Sequence, residues 1–458
     1  MSDDAVEKVA QGEDILSFVL SEAKKLGATD ADALYVTSDD YSISVRKGDV
    51  EKVHRSMSRG MGIRVFRGQS QAIVSTSDLN RDSLSDLVRE AVRLAGETAP
   101  DAHSGLPDPE DLEFRRPFPD LLLEDDGRDA PSAKLRLDLA LSCEKAALSY
   151  DSRISSSEGA EFQSSRMTRQ MGNTRGFLGG TSRTNYALSV TSIAKEGDSM
   201  ERDYWYDQRP FFRDLDSPGA IGAESSRRAI SRLNPKRPKT GNARILFDPE
   251  NARSLIGHLL SAISGHALYR DATYLKGREG SKVASSLLTL TEDPFLPGGF
   301  GSRPFDGEGV RVAKKEILSG GILNGFLFDS YSARKTGHKT TGNAVRSLGD
   351  APVVGTSNVI VTPGTEDRSG LLKQMGDGIM VTELIGFGVN TVTGDYSRGA
   401  FGYEVRGGEI LGPLSEFTIA GTLDALFSGI MGIGSDVSSR SSIVCPSILV
   451  DGLRVSGI

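Results

Sequence analysis

Two stretches of this chain repeat one order of elements, and that order constrains the fold more than any single motif. A helix, several short alternating segments and a second helix occur within residues 13–95 and again within residues 132–233. In the first stretch, Ile15, Phe18, Val19, Ala23 and Leu26 recur at helical spacing over residues 13–26, and Gly27 is placed to end the helix. Tyr41, Ile43 and Val45 then alternate with Ser42 and Ser44. Met61, Ile63 and Val65 repeat the pattern, residues 71–76 follow, and Gly48-Asp49 and Gly68 mark the turns. A helix from Asp82-Ser83 buries Leu84, Leu87, Val88, Ala91 and Ala95. The second stretch has a helix over residues 132–150, with Pro131 suited to its first turn. Strand-like segments at 153–162, 165–172, 183–193 and 200–206 come next, and a helix over 220–233 closes the unit. The two units share order and no obvious sequence identity.

The Pro-, Asp- and Gly-rich residues 97–130 read as a boundary. After a linker at 234–240 the composition shifts. Residues 243–247 read as a buried strand. Asp248-Pro249 is a helix start, an N-cap acceptor followed by proline at the first helical position, and the helix is expected to run over residues 249–270. Beyond it glycine becomes frequent, and 359–361, 378–384, 403–411 and 447–455 read as strands. The expected fold class is α+β: a helix-bounded β-sheet N-terminal region, duplicated in its order of elements, then a β-rich C-terminal domain with one prominent helix. The expected domains are 1–115, 116–237 and 238–458.

Charge and composition exclude several classes of function. Lys and Arg number 54 against 62 Asp and Glu, a net charge of −8. Such a chain has no global pull toward phosphate backbones or anionic membranes, so no direct nucleic-acid partner is expected. The one basic cluster, Pro235-Lys236-Arg237-Pro238-Lys239, is brief, broken by proline and read as a solvated linker. No apolar run approaches the roughly 20 residues of a membrane helix. Met1-Ser2-Asp3-Asp4 has neither the basic nor the apolar region of a secretory signal. Cys143 and Cys445 lie far apart and make no disulfide framework. A cytoplasmic location is expected.

No GxxxxGK[ST] loop or GxSxG elbow is present, and Gly386-Phe387-Gly388 lacks the third glycine of a dinucleotide fingerprint. The glycines read as β-turns and bulges. Of the five histidines, His54, His103, His258, His266 and His338, only His258 and His266 share an expected element. Eight residues span about 12 Å of helix, more than two zinc bonds of about 2.1 Å bridge easily. The positions one turn away hold Ser254, Ala262 and Arg270, so no HExxH or equivalent is built. Gly257, Ser261, Ala262 and Gly265 give that helix a small-residue side suited to close packing. Cys143 and Cys445, among apolar neighbours, read as inert buried thiols.

Several short stretches, in order, resemble the TldD/PmbA family. They are Gly62-Ile63-Arg64-Val65 with Ser75-Thr76-Ser77-Asp78-Leu79, Ser157-Glu158-Gly159-Ala160-Glu161, Phe247-Asp248-Pro249-Glu250, Thr341-Gly342-Asn343-Ala344, Thr393-Gly394-Asp395-Tyr396-Ser397, Thr418-Ile419-Ala420-Gly421 and Val450-Asp451-Gly452-Leu453. In the TldD branch the helix after Asp-Pro carries HExxxH, and a C-terminal cysteine completes a zinc site. The corresponding stretch here is Ser261-Ala262-Ile263-Ser264-Gly265-His266, where Ser261 replaces the first histidine, Ala262 the glutamate, and His266 keeps the last. Cys445 stands too close to the final strand to match the TldD cysteine. The pattern resembles the PmbA/TldE branch. The resemblance implies a subunit with no catalytic residues, metal or cofactor of its own, working on peptides as the heterodimeric partner of a zinc-bearing TldD-like chain and able to pair with itself when alone. A stand-alone peptidase and a non-proteolytic interaction protein, such as a DNA gyrase modulator, are the alternatives.

Overall fold

Six long strands lie in one antiparallel sheet of the computed structural model, which describes residues 3–127 and 130–457, with side chains from residue 11 onward. Met1 and Ser2, part of the expectation about a leader, lie outside the described residues. The strands are β1 (Asp30–Arg46), β2 (Asp49–Arg67), β3 (Ser70–Thr76), β4 (Ile154–Asn173), β5 (Leu178–Glu196) and β6 (Ser199–Arg209), in the order β3-β2-β1-β4-β5-β6. Each repeated unit supplies one half. The β1–β4 pairing, from Asp32↔Asn173 to Val45↔Ala160, joins them. Helices α1 (Asp3–Lys25), α2 (Arg81–Glu97), α3 (Ala133–Leu148) and α4 (Pro218–Ser231) bound the units. Ala31, Ala33 and Tyr35 of β1 pack under α1 and α2, and Ile43 and Val45 pack under α3 and α4. All five are odd-numbered on one strand, so both helix pairs cover the same face.

Two local expectations are corrected. Residues 153–162 and 165–172 are one strand, β4, not two. Ser164 and Ser165 are held on both sides, opposite Tyr41 and Asp40 of β1 and opposite Tyr186 and Asn185 of β5. An interior strand overrides the polar turn signal of the serines. Residues 97–130, read as a boundary, also bury Leu106, Leu112 and Leu121. Glu113 N–H donates to the Gly309 carbonyl at 2.9 Å and Gly298 N–H to that of Leu121 at 2.8 Å, so this stretch straps the sheet to the C-terminal part.

In the C-terminal part, β7 (Gly241–Phe247) pairs with Gly378–Ile385 on one side and Ile448–Gly457 on the other. Gly378–Ile385 also pairs with Asp395–Arg406, which pairs with Glu409–Thr422, which pairs with Ile448–Gly457, closing a five-stranded barrel. Helix α5 (Pro249–Ala262) follows β7. Asp248 caps it by accepting from Asn251 N–H at 2.9 Å, and Ala252, Leu255, Ile256 and Leu259 are wholly buried in the barrel-side core.

The expected helix over residues 249–270 is broken. It stops at Ala262, and a short helix, α6 (Gly265–Tyr269), restarts after Ser264. The backbone between them pairs with another segment: Leu327 N–H donates to Ile263 carbonyl at 2.9 Å, and Gly265 N–H donates to Leu327 carbonyl at 2.7 Å. Gly265 is required there, because a Cβ would lie 2.4 Å from the Phe328 ring.

The face of the sheet opposite the helices meets the C-terminal part. Asp32 and Arg64, paired across β1 and β2, are buried there with Arg346 and Glu308. Arg64 Nη2 lies 2.5 Å from Asp32 and 3.3 Å from Glu308, and Arg346 donates to the other Asp32 oxygen. Asp32→Ala strands the Arg346 guanidinium in the interior and leaves Arg64 with Glu308 alone. A loss of about 3–5 kcal/mol is expected by urea unfolding, and wild-type stability in that variant would remove the network from its structural role.

Candidate functional site

The break after α5 sets the geometry of the three positions singled out in sequence. Ser261 is exposed, and its Oγ donates to the Gly257 carbonyl at 3.0 Å. Ala262 is wholly buried among Leu259, Ile263 and the rest of the barrel-side core. His266 lies on α6, where its backbone N–H donates to Ser264 Oγ at 3.2 Å. Its Nε2 lies 2.9 Å from Asp329 Oδ2.

Asp329 caps helix α7 (Ser330–Thr336), and its Oδ1 accepts from Ser332 N–H at 2.8 Å and Ser332 Oγ at 2.5 Å. Burial raises its pKa. The hydrogen bonds from His266 and Ser332 outweigh burial and hold the carboxyl below its usual range. An ionised carboxylate only accepts, so His266 Nε2 is the donor and has no lone pair free. Tyr269 and Tyr331 flank the imidazole at centroid distances of 5.5 and 6.3 Å. Tyr331 Oη donates to Asp101 at 2.7 Å, and Lys335 Nζ lies 3.2 Å from the same carboxyl. Asp329, Tyr331 and Asp101 escaped the sequence reading. The Asp329-Ser330-Tyr331-Ser332 capping pattern marks α7 but says nothing of His266.

The other singled-out residues do not join this cluster. His258 is half-buried on α5, edge-on to Tyr396 at 6.2 Å, and burial followed by the Arg398 charge lowers its pKa. His54 and His338 are exposed, the latter stacked on Phe328, and His103 lies in the strap. Cys143 is buried under the sheet with its thiol pushed up to about 12 by burial and then Glu144. Cys445 is buried, its thiol pushed up by burial and by Asp436. It bridges to Ser438, whose Oγ donates to Glu250 at 2.7 Å, so it stands by the first turn of α5. His266 lies past the other end of that helix, about 20 Å along. Among the described residues no group of three His, Cys, Asp or Glu side chains stands close enough to hold a metal ion.

The first turn of α5 also borders a cleft of about 400 Å³, shared with Trp205, Arg228, Tyr403 and Arg440. Burial pushes Asp248 up to about 6, and the hydrogen bonds of Asn251 and the charge of Arg228 only partly offset it. The folded chain thus holds that proton more tightly than the unfolded chain. The resulting stability is full below pH about 4 and lost as pH rises through about 6. Asp248→Asn keeps a good cap without the charge. Its stability relative to wild type should improve by about 1–3 kcal/mol between pH 4 and pH 8, read by urea unfolding. A pH-independent difference would mean that Asp248 ionises normally.

Comparison with known proteins gives one answer over the whole chain. Profiles of the PmbA/TldA metallopeptidase family match as domain 1 over residues 31–95, the central domain over 127–233 and the C-terminal domain over 240–457. Metalloprotease PmbA of Escherichia coli O157:H7 is 38% identical over 446 residues, covering 97% of this chain and 96% of that protein. The PmbA homologue of Haemophilus influenzae is 37% identical over 443 residues, covering 96% and 95%. A crystal structure of a candidate DNA gyrase modulator from Bacteroides thetaiotaomicron superposes with a TM-score of 0.91 at 28% identity, covering 98% of this chain and 99% of that one. TldE of Thermococcus kodakarensis shares the fold, with a TM-score of 0.86 at 20% identity, covering 97% and 100%. With all three family domains in order and relatives above 35% identity along nearly its full length, the chain belongs to the TldD/PmbA metallopeptidase family.

Proposed function

We propose that this chain is the PmbA/TldE-type subunit of a cytoplasmic two-chain peptidase, non-catalytic in itself, whose zinc and general base reside in a TldD-like partner. The observation that carries the reading is the environment of positions 261, 262 and 266. A zinc peptidase needs about three protein ligands, an open water position and a base. Ser261 is tied to its own helix, Ala262 has no proton to move, and His266 Nε2 is committed to Asp329. Cys445 is at the far end of α5, by Glu250. These residues do not fit a resident metal.

In this role the chain supplies a rigid wall to a shared peptide channel. Its partner contact is expected to bury at least about 1,000 Å². In the partner's absence a symmetric contact between two copies is the expected substitute, since paired subunits of one fold favour it.

Purification from the native host without a metal-binding tag is the test. A co-purifying chain with HExxxH, zinc in the complex, and no zinc or peptide cleavage by this chain alone are the expected results. Stoichiometric zinc in this chain alone, lost together with peptidase activity in His266→Ala, would overturn the reading.

A further inference from the structure

Between the open face of the sheet and the C-terminal part lies a second cavity, of about 720 Å³. Met167, Met171, Phe300 and Phe305 give it apolar walls. Four arginines line it as well: Arg169 of β4, Arg183 of β5, and Arg303 and Arg346 of the C-terminal part. Scattered over nearly 180 residues of sequence, they meet only in the fold.

Counter-charge is short there. Arg169 donates to the Arg346 carbonyl, and Arg183 donates to the carbonyls of Phe300 at 2.5 Å and Ser302 at 2.9 Å. No carboxylate is among the charges that act on either; burial, then the neighbouring arginines, lowers both pKa values. Two acids stand beside Arg303: Glu292, 3.9 Å from its Nη2, is shared with Lys315 at 3.1 Å, and Asp306 accepts from the backbone N–H groups of Glu308, Val310 and Ala344, with burial pushing it up to about 7. Asp350 is exposed at the rim. Asp32 is shared between Arg346 and Arg64. Most telling are the donors left over. Arg346 is 1% exposed in its side chain, yet its Nε and Nη2 have no hydrogen-bond partner, and neither has Arg303 Nε. An unmet buried guanidinium donor is destabilising, and its natural complement is a planar anion.

We propose that this cavity binds a carboxylate-bearing peptide, with Arg346, Arg303, Arg169 and Arg183 receiving the carboxylate and the methionine and phenylalanine walls receiving its apolar neighbours. Only the choice of a peptide rests on the peptidase reading.

Calorimetric titration of this chain alone, without a partner, tests the site separately from peptidase activity. The probes are the N-acetylated tripeptide Ala-Leu-Phe as free acid, its C-terminal amide, the amide of Ala-Glu-Phe, and inorganic phosphate. Binding of the free acid with at least tenfold preference over its amide supports a C-terminal carboxylate, and the same preference for the Glu peptide supports a side-chain carboxylate. Arg169→Gln and Arg183→Gln should each weaken the preferred peptide by at least tenfold while the unfolding midpoint holds or rises, because repulsion is relieved. Equal binding of acid and neutral peptides, tighter binding of phosphate than of any peptide, or no binding would overturn the proposal. So would variants that lose stability and keep the acid preference, since the arginines would then be structural only.

Discussion

The buried group of Asp32, Arg64, Arg346 and Glu308 is the joint on which the two halves of the molecule depend. Asp32 and Arg64 face one another across β1 and β2, and the other two come from the C-terminal part. Desolvating four ionised groups is costly, and the return is less net stability than one permitted docking: any slip of the sheet leaves a charge unpaired. The joint also extends toward the candidate site. Glu308 accepts from the backbone N–H of Ser330 at 2.9 Å, and Ser330 follows Asp329, which holds His266. Sheet register, the start of α7 and the aim of one imidazole are thus set by consecutive contacts.

The same chain of contacts explains what could be read from sequence. Asp248-Pro249 announced α5 because capping is local, and Ala262 and His266 were placed by counting along it. The end of α5 was not legible. Its backbone leaves the helix for Leu327, more than sixty residues away, and nothing between Pro249 and Arg270 records that pairing. The two N-terminal units were visible as a repeated order, whereas their fusion was not. Joining them takes β1 against β4, partners separated by more than a hundred residues, and period-two alternation names a buried face without naming a neighbour.

Titratable clusters were the least legible part. Arg169, Arg183, Arg303 and Arg346 are unremarkable one by one, and each could be a solvated surface residue. Only the fold turns them toward one cavity, and only burial turns their proximity into a deficit of counter-charge. The absence of a metal motif was readable from residue types. The reason His266 has a stable place without one, its bond to Asp329, was not.

Position 262 is closed to solvent by the packing of α5 on the barrel. Ala262 is not an open site from which a functional group is missing. It is wholly buried in the same core as Leu255, Leu259, Ile263 and the barrel residues Phe417 and Ile419. A glutamate placed there would set a carboxylate among aliphatic side chains, and keeping it ionised would cost several kcal/mol. It would protonate or distort the end of α5 before it served as a base. The end of α5 at position 262 is a packing surface, whereas four arginines meet in a cavity where the sheet faces the C-terminal part.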